Sequence, residues 1–200
     1  MKKTIVFDLG GVLIDWNPSH LYEKIFSDQD EMEYFLKEIC SLDWNSQMDV
    51  DKSFLDAIDE LIPKFPQYED QIRAYYLRWE EMIRGDIPGT VEVLREMKEA
   101  GYPLAALSNW SSETFPRIKD QYDFLSWFSP LMISGYIGYK KPDPEPFQIL
   151  LHELGRDAGD CLFIDDMEDN IQEARRQGFE VIRFTSPEKL RQELEIRDYL

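Results

Sequence analysis

The 200-residue chain is short of positive charge. It has 22 Lys and Arg against 40 Asp and Glu, a formal net charge of -18 at pH 7. A surface this acidic repels nucleic acid and anionic membranes and opposes the approach of a phosphorylated molecule, so a phosphate site would need its own Lys or metal. Cysteine is scarce too. Cys40 and Cys161 stand far apart without metal-ligand spacing, which predicts free thiols in a reducing compartment. There are only two histidines, His20 and His152. No run approaches the roughly 20 apolar residues of a membrane-spanning helix. The opening stretch MKKTIVFDLGGVLID is not expected to be a leader, because Asp8 breaks its apolar run and no cleavage site follows. A soluble, cytoplasmic protein without a nucleic-acid or membrane partner is expected; the sequence leaves monomer or dimer open.

Apolar residues at 43% and aromatics at 14% supply ample core. Five short continuous apolar runs read as buried strands: Thr4–Asp8, Pro103–Ser108, Leu131–Ser134, Cys161–Asp165 and Glu180–Phe184. Continuous rather than alternating apolarity suits parallel strands covered on both faces. Helical patterns lie between them, such as Phe147, Leu150, Leu151 and Leu154 on one face. Asp143-Pro144 and Ser186-Pro187 look like capped helix starts, and Gly101, Gly155 and Gly178 like helix stops. This alternation predicts an open, mostly parallel α/β sheet.

One region departs from the alternation. Between the first run and Pro88, about 70 residues show no convincing strand, and a loop that long would be unusual. Helical stretches are expected after Asn17-Pro18 and around Glu31–Ile39, Asp51–Ile62 and Tyr68–Ile83. The region is rich in aromatics, among them Trp16, Trp44, Phe54, Tyr75, Tyr76 and Trp79, whose plainer role is the region's own core. It reads as a helical insertion over residues 16–85, with the α/β core formed by 1–15 and 86–200 and a hinge near Gly85, Pro88 and Gly89. Arg84-Gly85-Asp86 spells an adhesion tripeptide, which is treated as chance.

Polar residues stand where these strands end: Asp8 after the first, Ser108 after the second, Lys141 after the third, Asp165 and Asp166 after the fourth. In an open α/β sheet those ends line the ligand crevice. Three carboxylates gathered there need a cation, and an all-oxygen site without histidine suits Mg²⁺. Lys141 supplies fixed positive charge. Each residue also has a plainer reading. Asp8 could cap a turn, Ser108 could be a turn residue, Lys141 neighbours an ordinary Lys140, and Asp165-Asp166 could cap a helix starting near Met167. Their order and spacing together carry the functional reading.

These segments resemble the four motif regions of the haloacid dehalogenase superfamily. They are Phe7-Asp8-Leu9-Gly10-Gly11-Val12-Leu13-Ile14-Asp15, Leu107-Ser108-Asn109, Lys141-Pro142-Asp143-Pro144 and Phe163-Ile164-Asp165-Asp166. The resemblance implies a Rossmann-like three-layer α/β/α core with an all-helical cap inserted after the first motif. It also implies a Mg²⁺-dependent phosphatase acting on a small phosphorylated metabolite. Asp8 would form an aspartyl-phosphate. Asp8, Asp166 and the Gly10 carbonyl would hold Mg²⁺, with Asp165 beside it. Ser108, Asn109, Gly10 and Lys141 would meet the phosphate, Lys141 also offsetting charge during transfer.

The first motif departs from the Asp-x-Asp of the family's phosphatases, because Gly10 replaces the second Asp, which protonates the leaving oxygen. Positioned acid catalysis contributes roughly 10²–10⁴ in rate. Three readings follow: a phosphatase for easily leaving alcohols such as sugar 1-phosphates, or with an acid borrowed from the cap (Asp15 or Asp43); a metal-independent 2-haloacid dehalogenase; and a phosphate-binding regulatory protein with weak turnover. Phosphomutase activity depends on the missing Asp.

Overall fold

The computed structural model describes residues 2–200. Among the described residues seven strands form in chain order: β1 (Thr4–Phe7), β2 (Ile14–Trp16), β3 (Ile83–Asp86), β4 (Leu104–Ser108), β5 (Leu131–Ile133), β6 (Cys161–Asp165) and β7 (Glu180–Arg183). Five of them build one parallel sheet in the order β5-β4-β1-β6-β7. Every residue of β1, β4 and β6 is buried, which is why their sequences are apolar without alternation.

Alternate residues along β1 serve opposite layers. Val6 packs in a cluster with Leu107, Phe147, Leu150, Phe163 and Ile171, which belongs to the helices Pro144–Leu154 and Glu168–Gln177. Ile5 and Phe7 belong to a cluster that includes Val91, Leu94 and Leu190, from the helices Pro88–Glu99 and Pro187–Ile196. The result is helix, sheet, helix. Proline opens each of the helices at Pro88, Pro144 and Pro187, where its missing N–H costs nothing. Ser186 accepts a 3.3 Å bond from the Lys189 N–H. Asp143, expected to cap in the same way, makes no such bond. Gly101, Gly155 and Gly178 end their helices at φ +79°, +59° and +97°.

The region from Ser19 to Met82 is helical, with α-helices at Ser19–Tyr22, Gln29–Tyr34, Leu42–Asn45, Phe54–Leu61 and Glu69–Leu77. Asp28, Ser41 and Ser53 cap three of these through side-chain oxygens. Aromatic rings fill the interior. Tyr22 and Phe35 lie 4.8 Å apart, Trp44 and Tyr75 5.0 Å.

The expectation of no strand before Pro88 is corrected. β2 and β3 pair antiparallel at the two ends of the inserted region. Both are short, and β3 carries Gly85, so their existence depends on each other rather than on local pattern. Among the described residues no helix is long and apolar enough to cross a membrane.

Candidate active site at the ends of the central strands

Register fixes the site. Phe7 pairs with Ala106 on one side and Ile164 on the other. Asp8, Ser108 and Asp165 therefore leave the sheet together at its C-terminal edge. The Asp8 N–H donates to the Ile164 carbonyl at 2.9 Å, extending the sheet by one bond as far as Asp8. Chain order reverses direction about β1, the kind of switch point at which open α/β sheets bind ligands.

The carboxylates of Asp8, Asp165 and Asp166 offer oxygens within 4.8 Å of one another. Lys141 is 2% exposed and lies between two of them, its Nζ 2.6 Å from Asp165 Oδ2 and 3.0 Å from Asp8 Oδ1. The contact to Asp8 is off the angle of a hydrogen bond, so Asp8 Oδ1 is buried without a donor. Burial raises the Asp8 carboxyl to about 7; Lys141 pulls it down, whereas Asp165 and Asp166 push it up. Asp166 is raised by burial and by Asp165. For Lys141, burial favours the neutral amine, but Asp165 and Asp8 outweigh it and keep the ammonium above its ordinary value. A divalent cation fits this cluster: three crowded carboxylates, one with an orphaned oxygen, and no nitrogen or sulfur donor among them.

The third carboxylate is differently employed. Asp165 Oδ1 accepts from the Met167 N–H at 2.8 Å and from Asn170 at 3.0 Å; Oδ2 accepts from Lys141 and from Asn170 at 3.0 Å. Asp165 is fully buried, anchoring Lys141 from behind. Its bond to Met167 is the capping reading in part, though the helix itself starts at Glu168. Asn109 is a second anchor. Its Nδ2 donates to the Lys141 carbonyl at 2.7 Å, and its Oδ1 accepts from the Lys141 N–H at 2.8 Å.

The loop after Asp8 is shaped by glycine. Gly11 sits at φ +76°, and a Cβ there would lie 2.8 Å from Asp166 Oδ2. A side chain at Gly11 would thus strain the turn and push Asp166 aside. At Gly10 a Cβ would meet nothing within 4 Å.

A cavity of about 350 Å³ opens over these residues. Asp8, Gly10, Ser108, Asn109, Lys141 and Asp166 all line it, so six of the seven predicted site residues share one space, and Asp165 stands behind. Its other wall comes from the inserted region, through Trp16, Asp49, Phe54 and Trp79. The two proposed replacement acids do not reach it. Asp15 pairs with His20 at 3.0 Å, Asp43 is exposed, and neither lines the cavity. Asn170 and Asp49 were not singled out by sequence. The nearest signal for Asn170 was its place on the helix that follows Asp165-Asp166; Asp49 had none.

Comparison with known proteins identifies the family. The haloacid dehalogenase-like hydrolase family matches residues 2–178. The chain is 25% identical over 187 residues to the sesquiterpene phosphatase astK of Aspergillus oryzae, covering 92% of this chain and 90% of that protein. It is 25% identical over 179 residues to a phosphoglycolate phosphatase of Aquifex aeolicus, covering 88% and 81%. Among solved structures, the magnesium complex of the HAD family enzyme bt-2542 of Bacteroides thetaiotaomicron superposes with a TM-score of 0.71 at 20% identity, covering 92% and 94%. L-2-haloacid dehalogenase of Xanthobacter autotrophicus, with chloropropionic acid covalently bound, gives 0.66 at 19% identity, covering 100% and 85%. With the matched stretch running from β1 through the helix after Asp166, the chain belongs to the haloacid dehalogenase-like hydrolases.

Proposed function

We propose that this hydrolase is a Mg²⁺-dependent phosphatase that cleaves a small phosphorylated metabolite through an aspartyl-phosphate on Asp8. The observation that carries the reading is the pairing of a carboxylate cluster with a buried ammonium over one cavity. Asp8, Asp166 and the Gly10 carbonyl would hold the ion, which when bound neutralises charge on the phosphate oxygens. The magnesium named for bt-2542 and the phosphatase names of the curated relatives support the same reading.

Asp8 would attack phosphorus. The new Asp8 oxygen–phosphorus bond forms as the bond to the leaving oxygen breaks, and water later hydrolyses the acyl phosphate. Lys141, kept cationic by Asp165, meets charge building on the equatorial oxygens with no reorientation, because Asn109 and Asp165 already fix it. The Ser108 hydroxyl adds a donor at the strand end. Residues 16–85 act as the cap that covers the leaving group, excludes bulk water and selects the substrate. The cavity volume is within the range of small-ligand sites, and a sugar 1-phosphate remains a fitting candidate.

Dehalogenation shares Asp8 and needs no leaving-group acid, in keeping with Gly10. Asp166, a second strand-end carboxylate facing the cavity beside Asp8, favours phosphoryl chemistry instead. The test is a panel of sugar phosphates, nucleotides and flavin phosphates with Mg²⁺. Phosphate release that a chelator stops is the expected result. Chloride release from 2-chloropropionate without metal, with no phosphate release, would reverse the assignment.

A further inference from the structure

We propose that Asp49, carried on the inserted region, is the general acid that protonates the departing oxygen. This rests on the phosphatase reading and supplies the group that Gly10 lacks. Alkoxides leave slowly from phosphorus unless they are protonated in the transition state, so a proton donor must face the leaving group. Among the described residues, the titratable side chains lining the cavity are Asp8, Asp49, Lys141 and Asp166. Asp8 is the nucleophile, Asp166 belongs to the cation cluster, and Lys141 is committed to two carboxylates. Asp49 alone is unassigned. It lines the cavity from the inserted region, whereas Asp8, Lys141 and Asp166 line it from the strand ends.

The segment carrying Asp49 is tied to the catalytic loop. Lys140 Nζ donates to the Ser46 carbonyl at 2.8 Å and to Ser46 Oγ at 3.1 Å. Lys140 precedes Lys141, and Ser46 is three residues before Asp49, so one clip sets the distance between acid and phosphate site. Asp49 has no ion pair or hydrogen bond among the described residues, which leaves its carboxyl available to substrate. Burial raises this carboxyl to about 6, against the pull of Lys140 and Lys141, so that it retains a proton closer to neutrality than an exposed aspartate does. In the step itself the phosphorus–oxygen bond breaks, the electron pair on the leaving oxygen takes the Asp49 proton, and the alcohol departs; the carboxylate regains a proton from solvent before the next turnover.

The experiment is the dependence of kcat/KM on leaving-group pKa, from p-nitrophenyl phosphate to simple alkyl phosphates, for the wild-type chain and Asp49→Asn with saturating Mg²⁺. Because kcat/KM covers only steps through phosphoenzyme formation, later hydrolysis does not enter. Asn is isosteric with Asp, and Asp49→Ser provides the same comparison should the amide disturb the turn. The expected result is a steeper dependence in the variants, with alkyl esters losing about 10²-fold more than the aryl ester. A parallel fall across the series, or no change in slope, overturns the acid assignment while leaving the phosphatase reading intact. Absence of wild-type turnover on every ester overturns both.

Discussion

Asp165 and Asp166 are adjacent in sequence yet hold different positions. Asp166 faces the cavity, whereas Asp165 spends both oxygens on Lys141, Asn170 and the Met167 N–H. Their replacements should therefore fail differently. Asp166→Ala should weaken Mg²⁺ binding, measured by calorimetry, by at least about 100-fold, the upper end of what losing an outer partner costs. Its thermal stability should hold. Asp165→Ala should lose about 3–5 kcal/mol in denaturant unfolding, because it leaves the Lys141 ammonium buried with a weaker partner. Equal effects of the two on metal affinity, with equal stability, would refute the division. Both residues were legible at a strand end, but their roles were not. The difference is made by Asn170, which a helix brings back to the strand, and single-sequence reading does not show that return.

At the scale of elements, the parallel sheet was the most legible part. Continuous apolar runs mark strands buried on both sides, and the pairing of β1 with β4 and β6 brings the polar strand ends together. β2 and β3 were illegible, since a three-residue strand and a glycine-bearing one have no pattern apart from each other. The inserted region's contribution to the cavity was illegible for a related reason. Asp15, Asp43 and Asp49 have the same chemistry; Asp15, in β2, is taken up by His20, Asp43 is exposed on the helix Leu42–Asn45, and only the turn after that helix brings Asp49 to the cavity. The clip from Lys140 to Ser46 makes this element testable. Lys140→Met should lower kcat/KM for an alkyl phosphate about 10-fold while costing about 1.5–3 kcal/mol in stability, the range for a hydrogen bond to a charged group. An unchanged kcat/KM would mean that the turn keeps its place without the clip.

Across the whole molecule, the charge of -18 opposes the anion that the site is built to take. The local answer is a lysine buried to 2% exposure and, on the proposed reading, a cation that the carboxylate cluster would hold. Both act at short range, whereas the repulsive field extends outward until salt screens it, over about 10 Å at 0.1 M. Raising ionic strength from about 0.01 to 0.2 M at saturating Mg²⁺ should thus increase kcat/KM for a dianionic phosphoester a few-fold, by letting substrate approach more often. A fall over the same range would show that attraction to the site extends beyond the acidic surface.

The nucleophile is the central claim, and covalent trapping tests it most directly. During turnover of a labelled phosphate ester with Mg²⁺, acid quench should leave label on the peptide bearing Asp8. That label should be released by hydroxylamine, as an acyl phosphate is, and be absent from Asp8→Asn, whose turnover should fall by on the order of 10⁴-fold or more. Label on another residue, or wild-type turnover by Asp8→Asn, would contradict the account.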